Sequence, residues 1–373
     1  MIKQKIANHL KNIPGWRTKR KLVVISVDDY GNVRLDSKKA RESMDKAGLK
    51  VHSRFDAYDA LETKEDLESL YEVLTSVKDK KGNNAVFTPF AMPCNIDFEA
   101  MQEESNTRYI NETLISTYNK LSTLQPNVYS GTWDMWREGI EMGIMVPQFH
   151  GREHLNIEVL NNKLETRDNE VLTALKNRSY TSLSSSGFPN MSYTAAFEFE
   201  GVDRNSFFKS LIEDGLIKFE QVYGYKSMHF NPPGGREHPL IHKYLAENGV
   251  KYLDTPFIKS EHQGRGKYKR ILNWTGKRTD SNQYYQVRNV IFEPTHERGF
   301  DWVNYSLRQI EAAFFWNRPA IISSHRVNFC GHIDPKNREI GLTALKELLQ
   351  KIVKKWPEVE FMSSVALGDL INK

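Results

Sequence analysis

Leu22-Val23-Val24-Ile25-Ser26-Val27-Asp28-Asp29-Tyr30-Gly31 is an apolar run that stops abruptly at two carboxylates. A stretch rich in Val and Ile fits a buried strand, and the Asp-Asp-Tyr-Gly that follows ends it. Runs of the same character recur at 85–90, 144–149, 226–230, 251–254, 290–292, 320–324 and 360–363. Between them lie helical patterns at 37–47, 64–77, 132–142, 203–222, 237–248, 301–315 and 336–353, with apolar residues three and four apart. Strands alternating with helices imply a mostly parallel sheet with crossover helices. Seven or eight such units point to an α/β barrel, regular or distorted.

Composition narrows the function. The chain has 373 residues, 39% hydrophobic and 27% charged, which is a globular composition. Lys and Arg number 52 against 47 Asp and Glu, so a net charge of +5 argues against a nucleic-acid-binding face. No apolar run approaches the roughly 18 residues of a membrane span. Cys94 and Cys330 stand far apart, which excludes a disulfide framework and a thiolate zinc site. Residues 1–20 carry six basic residues and no apolar core of a secretory signal, so a cytoplasmic location is expected. Ile2, Ile6, Leu10 and Ile13 suit either a basic helix on a membrane or a helix capping the underside of the domain, and the narrow stripe favours the cap. Residues 21–373 are expected to form a single domain, with an insertion at about 155–200 and a helix near 166–177. The pieces 181–186 and 262–270 read as surface loops.

Barrel strands present their chemistry at their C-terminal ends. The first run ends at Asp28 and Asp29, the third at His150, a later one at Asn231-Pro232-Pro233-Gly234-Gly235, and another at His325-Arg326. Neighbours in a regular strand point to opposite faces, so both aspartates serve one site only if the strand breaks there, as Gly31 permits. Two adjacent carboxylates stay ionised at low cost only with a cation between them, although an Asp-Asp pair also caps turns. His150 and His154 stand four apart, which on a helical turn brings two imidazoles to one metal. His238 and His242 repeat that spacing beside Pro239, where a helix-opening role is ordinary.

These residues, in this order, resemble the polysaccharide deacetylases of the NodB-homology type, carbohydrate esterase family four. That family's first motif, usually TFDDG, appears as SVDDYG at 26–31, the second as HGREH at 150–154, and the third, usually RPPYG, as NPPGG at 231–235. Asp301-Trp302 matches the fourth, and SSH at 323–325 the fifth. The resemblance implies a distorted (β/α)7-8 barrel, a metal on Asp29, His150 and His154, Asp28 as general base and His325 as general acid. It implies zinc as the divalent ion, an oxyanion held near Gly234, and Asp301 or Asp254 holding the His325 ring. Asn231 replaces the arginine that normally orients the base, so Arg152, Arg288 or Arg326 is expected to stand in. Trp302, Trp274 and Tyr30 are sugar-stacking candidates with the core as the alternative. Arg326 follows the acid toward the substrate.

The implied reaction is hydrolysis of an N- or O-acetyl group from a carbohydrate, a polysaccharide or its precursor. One alternative is a metal hydrolase of the same scaffold acting on another amide or a glycosidic bond, which would need Asp28 with Glu153 or Glu293 across the scissile bond. Another is a non-catalytic carbohydrate-binding protein.

Overall fold

The computed structural model describes residues 2–181, 183 and 191–373. Its main sheet is built of parallel strands β1 (Lys21–Tyr30), β2 (Phe87–Ala91), β3 (Gln148–Phe149), β4 (His229–Phe230), β5 (Tyr252–Thr255), β6 (Tyr284–Val287), β7 (Val290–Ile291), β8 (Ala320–His325) and β9 (Val359–Phe361). Their order across the sheet is β6-β5-β4-β3-β2-β1-β8-β7, with β9 added to the start of β1. Sequence neighbours pair from β1 to β6 and again at β7 and β8, while β8 and β9 both pair with β1. β6 pairs with β5 and β7 pairs with β8, while only Arg288 and Asn289 separate β6 from β7. One interrupted strand thus serves both edges of the sheet, and the sheet closes as a distorted (β/α) barrel.

The interruption is held by Asn289. Its side-chain amide donates to Asn12 Oδ1 (2.8 Å) and to the Pro319 carbonyl (2.9 Å), and its oxygen accepts from Ile321 N–H (2.8 Å). The side chain thus satisfies backbone of β8 that the short β7 leaves unpaired.

Alternation along β1 sorts its residues. Leu22 and Val24 join Tyr252, Tyr284 and Ile321 in a cluster closed by Val365, Leu367 and Ile371 of the C-terminal helix Ser364–Ile371. Val23, Ile25 and Val27 belong to the larger core against the surrounding helices. The N-terminal helix Ile2–Leu10 packs on the helix Trp302–Phe315, but Ile6, Leu10 and Ile13 of the expected stripe stay exposed.

Every run read as a strand contains one, and every helical pattern contains a helix. Tyr284–Val287 was not foreseen, because its polar Gln286 and the adjoining Arg288-Asn289 break the apolar signature. The insertion holds two helices, Ile157–Glu165 and Asn169–Lys176, the second matching the expected one. The 262–270 stretch is no plain loop: Ile258–His262 and Tyr268–Leu272 form an antiparallel hairpin around it. Most of the expected loop at 181–186 lies outside the described residues. No helix among the described residues is long and apolar enough to cross a membrane.

The turn after β1 admits only glycine. Gly31 has φ 74°, and a Cβ there would lie 2.6 Å from the Met92 carbonyl. Gly31→Ala should lower the unfolding free energy by about 2 kcal/mol or more, as urea denaturation would measure.

Candidate metal-assisted active site

The strain that builds the site sits at Asp29. Its φ of 76° is a left-handed conformation uncommon for a side-chain-bearing residue, and the β1–β2 register shifts between Val27 and Tyr30. Asp28 keeps the inward face that alternation assigns to it. The twist at Asp29 swings the next side chain to the same cleft, so consecutive carboxylates converge. Such a conformation costs about 1–3 kcal/mol and persists only where the surroundings impose it.

Asp29 meets the two histidines. Its Oδ1 lies 3.1 Å from His154 Nε2 and 3.6 Å from His150 Nε2. The histidines do not share a helical turn, because 151–156 is irregular chain that Gly151 bends at φ 95°. His150 Nδ1 donates to the Asn231 carbonyl (2.7 Å), which leaves Nε2 with its lone pair toward Asp29. Asp29 Oδ1 and His150 Nε2 are buried and have no hydrogen-bond partner among the described residues. Burial opposes ionisation of Asp29, but Arg34 and the two imidazoles outweigh it and hold its carboxyl well below the usual range. Burial also pushes the His154 imidazole below its ordinary value. One carboxylate and two imidazoles, their donor atoms within 4.8 Å of one another, are the donor set a divalent cation takes.

Asp28 is held from two sides. Arg288 donates to both of its oxygens at 2.7 Å, and the Asn231 amide donates to Oδ1 at 2.8 Å. Arg288 is oriented in turn by Asp254, which accepts from its Nε at 2.7 Å. The arginine absent from 231 is therefore supplied by the β6–β7 junction, and Asn231 itself bridges Asp28 and His150.

His325 ends β8 level with Asp28, its register partner. Its Nε2 faces Asp28 Oδ2 at 3.8 Å, and its Nδ1 donates to Glu293 Oε1 at 2.7 Å. Glu293 also accepts from Arg54 and from the Asn328 amide (2.8 Å). Burial disfavours charge on the His325 ring, but Glu293 foremost, with Asp28 and Asp29, prevails and pushes its pKa up to about 9. The acid form is thus present below about pH 9 and lost above it.

The cleft, about 390 Å³, is lined by Asp28, Asp29, His150, His154, Asn231 and His325, and by Arg34, Phe55, Thr194, Pro232, Gly234 and Gly235. Several expected residues stand elsewhere. Tyr30, after the twist, faces the core and packs edge-on to Trp136. Arg326 is fully buried and donates to Asp59 and Glu62. Asp301 caps the exposed start of the helix Trp302–Phe315 by accepting from Asn304 N–H (3.0 Å), and Glu293 holds the His325 ring in its place. Trp302 packs with Phe300 and Tyr305, and Trp274 lies under Lys277. His238 Nδ1 accepts from Leu240 N–H (3.1 Å) at a helix start, and His242 contacts Glu237, outside the cleft. Arg34, Phe55 and Thr194 went unforeseen. Arg34 and Thr194 lie in irregular chain, and Phe55 in the helix Arg54–Tyr58, which is too short to show a period.

No protein-family model matches the chain, and no curated protein does. Its neighbours among solved structures include polysaccharide deacetylases and family 4 carbohydrate esterases. A protein described as a polysaccharide deacetylase, from Mycobacterium smegmatis, is 12% identical with a TM-score of 0.48, over 96% of this chain and 93% of that one. A family 4 acetyl xylan esterase from Clostridium thermocellum, solved with a cobalt ion, is 12% identical with a TM-score of 0.35, over 94% and 91% of the two chains. A 4-α-glucanotransferase from Thermococcus litoralis is 9% identical with a TM-score of 0.44, over 93% of this chain and 40% of that one. Enzymes of different reactions share this likeness, so the chemistry has to be read from this chain's own side chains.

The His325–Glu293 pair is open to direct measurement. In metal-free protein, an NMR titration of the His325 ring should find its midpoint near 9. Glu293→Gln should bring that midpoint down toward the ordinary value of about 6.5.

Proposed function

We propose that this protein is a metal-dependent hydrolase that removes N- or O-acetyl groups from a carbohydrate, a polysaccharide or its precursor. The observation that carries the reading is the convergence, in one cleft, of the Asp29, His150 and His154 donors with a tethered carboxylate, Asp28, and an imidazole held by Glu293, His325. Two imidazoles and a carboxylate suit zinc. Bound there, the ion would polarise the acyl carbonyl and lower the pKa of a water.

The chain's own residues supply the remaining steps. Asp28, fixed by Arg288, receives the proton of the attacking water. Gly234 lines the cleft, and its N–H is the donor we assign to the developing oxyanion. Glycine is required there, since φ is 77° and a Cβ would press on Ala195 at 3.2 Å. In the imidazolium form of His325 the Nδ1–H is committed to Glu293, so the second proton, on Nε2 beside Asp28, is the one delivered to the departing amine or alkoxide. Asn231 fixes the angle between base and metal site.

Glycosidic hydrolysis would need a second carboxylate facing Asp28. Glu153 is instead bound by Arg152 and Tyr109, and Glu293 by His325, Arg54 and Asn328. Neither lines the cleft. This favours acyl transfer to water.

The test combines metal analysis with product assays on acetylated sugars. His150→Ala should strip the metal. Asp28→Asn and His325→Ala should retain it and lose acetate release by roughly 10²–10⁴-fold. Arg288→Met should retain metal and lose about 10²-fold in kcat, through a base no longer held in place. Reducing-sugar release without acetate, or unchanged metal content in His150→Ala, would overturn the reading.

A further inference from the structure

Arg34 has no part in the hydrolytic steps, yet it is buried and lines the cleft. Its ionic contacts are long, 3.4 Å to Asp59 Oδ2 and 4.0 Å to Asp29 Oδ1. Arg34 Nε and Asp59 Oδ2 are both buried without a hydrogen-bond partner among the described residues. Asp59 gives its other oxygen to Arg326, at 3.1 and 2.9 Å. Asp29 is the carboxylate that the proposed cation would use. The guanidinium on the cleft wall thus has one long ion pair to Asp59 Oδ2, a still longer one to an Asp29 that the proposed cation would share, and an unsatisfied Nε, an arrangement that suits an incoming anion.

We propose that Arg34 reads an anionic substituent on the sugar, a carboxylate or a phosphate, so that the substrate is an acidic saccharide. This rests on the deacetylase reading above. The placement decides which part of the substrate is read. Arg34 lies 4.9 Å over the Phe55 ring, and Phe55 packs edge-on to His325 at 5.4 Å between ring centres. His325 is the residue that protonates the leaving group, so the His325–Phe55–Arg34 wall faces the departing sugar rather than the acyl oxygen. The Phe55 ring on one side and Tyr180, 6.0 Å away, hold the guanidinium plane in place. A fixed planar fork matches a carboxylate or phosphate bidentately, which an ammonium cannot do.

The experiment measures binding, so it does not depend on turnover. Metal-loaded Asp28→Asn protein is titrated calorimetrically with N-acetylglucosaminuronate, N-acetylglucosamine 1-phosphate and neutral N-acetylglucosamine. At least one acidic probe should bind about tenfold more tightly than the neutral one, and which of the two does so separates carboxylate from phosphate. Adding Arg34→Met should erase that preference and leave neutral binding within about twofold. Arg34→Lys, which keeps the charge but not the fork, should retain part of it and guards against a folding defect in the methionine variant. Equal binding of all three probes, or an equal loss for all three in both variants at unchanged metal content, would overturn the proposal. The two readings fail separately. Selective acidic binding without acetate release from any sugar would sink the deacetylase and spare the anion site, and acetate release with charge-blind binding would do the reverse.

Discussion

The site depends on two consecutive carboxylates that must converge without neutralising each other. Side by side in a buried cleft, Asp28 and Asp29 would share a proton unless each had its own cation. The fold separates them electrostatically. Asp28 belongs to Arg288, which grips both of its oxygens from the barrel's interrupted strand. Asp29 faces Arg34 and the two imidazoles instead. A left-handed backbone at a single residue makes this division, and the twist is affordable because Gly31, Asn95 and Glu62 fix the turn beyond it. Glu62 accepts from Gly31 N–H at 3.0 Å, and Asn95 donates to the Gly31 carbonyl at 3.0 Å.

Behind each reactive group stands an oppositely charged support. Asp254 holds Arg288, and Arg288 holds Asp28. Arg54 contacts Glu293, and Glu293 holds His325. Beneath the cleft, Asp59 and Glu62 flank Arg326, with Tyr118 and Trp136 completing the shell of Glu62. Buried ion pairs of this kind contribute little net stability against apolar packing. Their contribution is orientation, since each fixed partner removes a rotational freedom from the group in front of it.

The parallel barrel was legible because apolar runs of strand length alternate with helical periodicity along the whole chain. The residues proposed as metal donors, base and acid could be singled out because they stand at or just beyond the ends of apolar runs, and the structure brings them into one cleft. What stayed hidden has physical causes. Arg34 sits in irregular chain and Phe55 in a five-residue helix, where no period announces a direction. Glu293 lies three residues beyond the foreseen strand start, and nothing in one dimension says that it rather than Asp301 reaches His325. Tyr30 and Arg326 follow residues that face the cleft, and the backbone turns their side chains away from it: Tyr30 into the aromatic core, Arg326 onto buried acids. Arg288 was one of three arginines open for the role. The choice required knowing that 284–291 is a single interrupted strand.

The position of β1 in the middle of the sheet has a consequence for biosynthesis. Its partners β8 and β9 begin at Ala320 and Val359, about 300 residues later in the chain. At ribosomal rates of about 5–20 residues per second, the Leu-Val-Val-Ile segment waits roughly 15–70 s for its last partner. Throughout that interval it is a nascent, unpaired apolar edge, the kind of segment that chaperones bind and that aggregates when they do not. The central strand that delivers both aspartates is therefore also the one most exposed to the folding machinery of its cell.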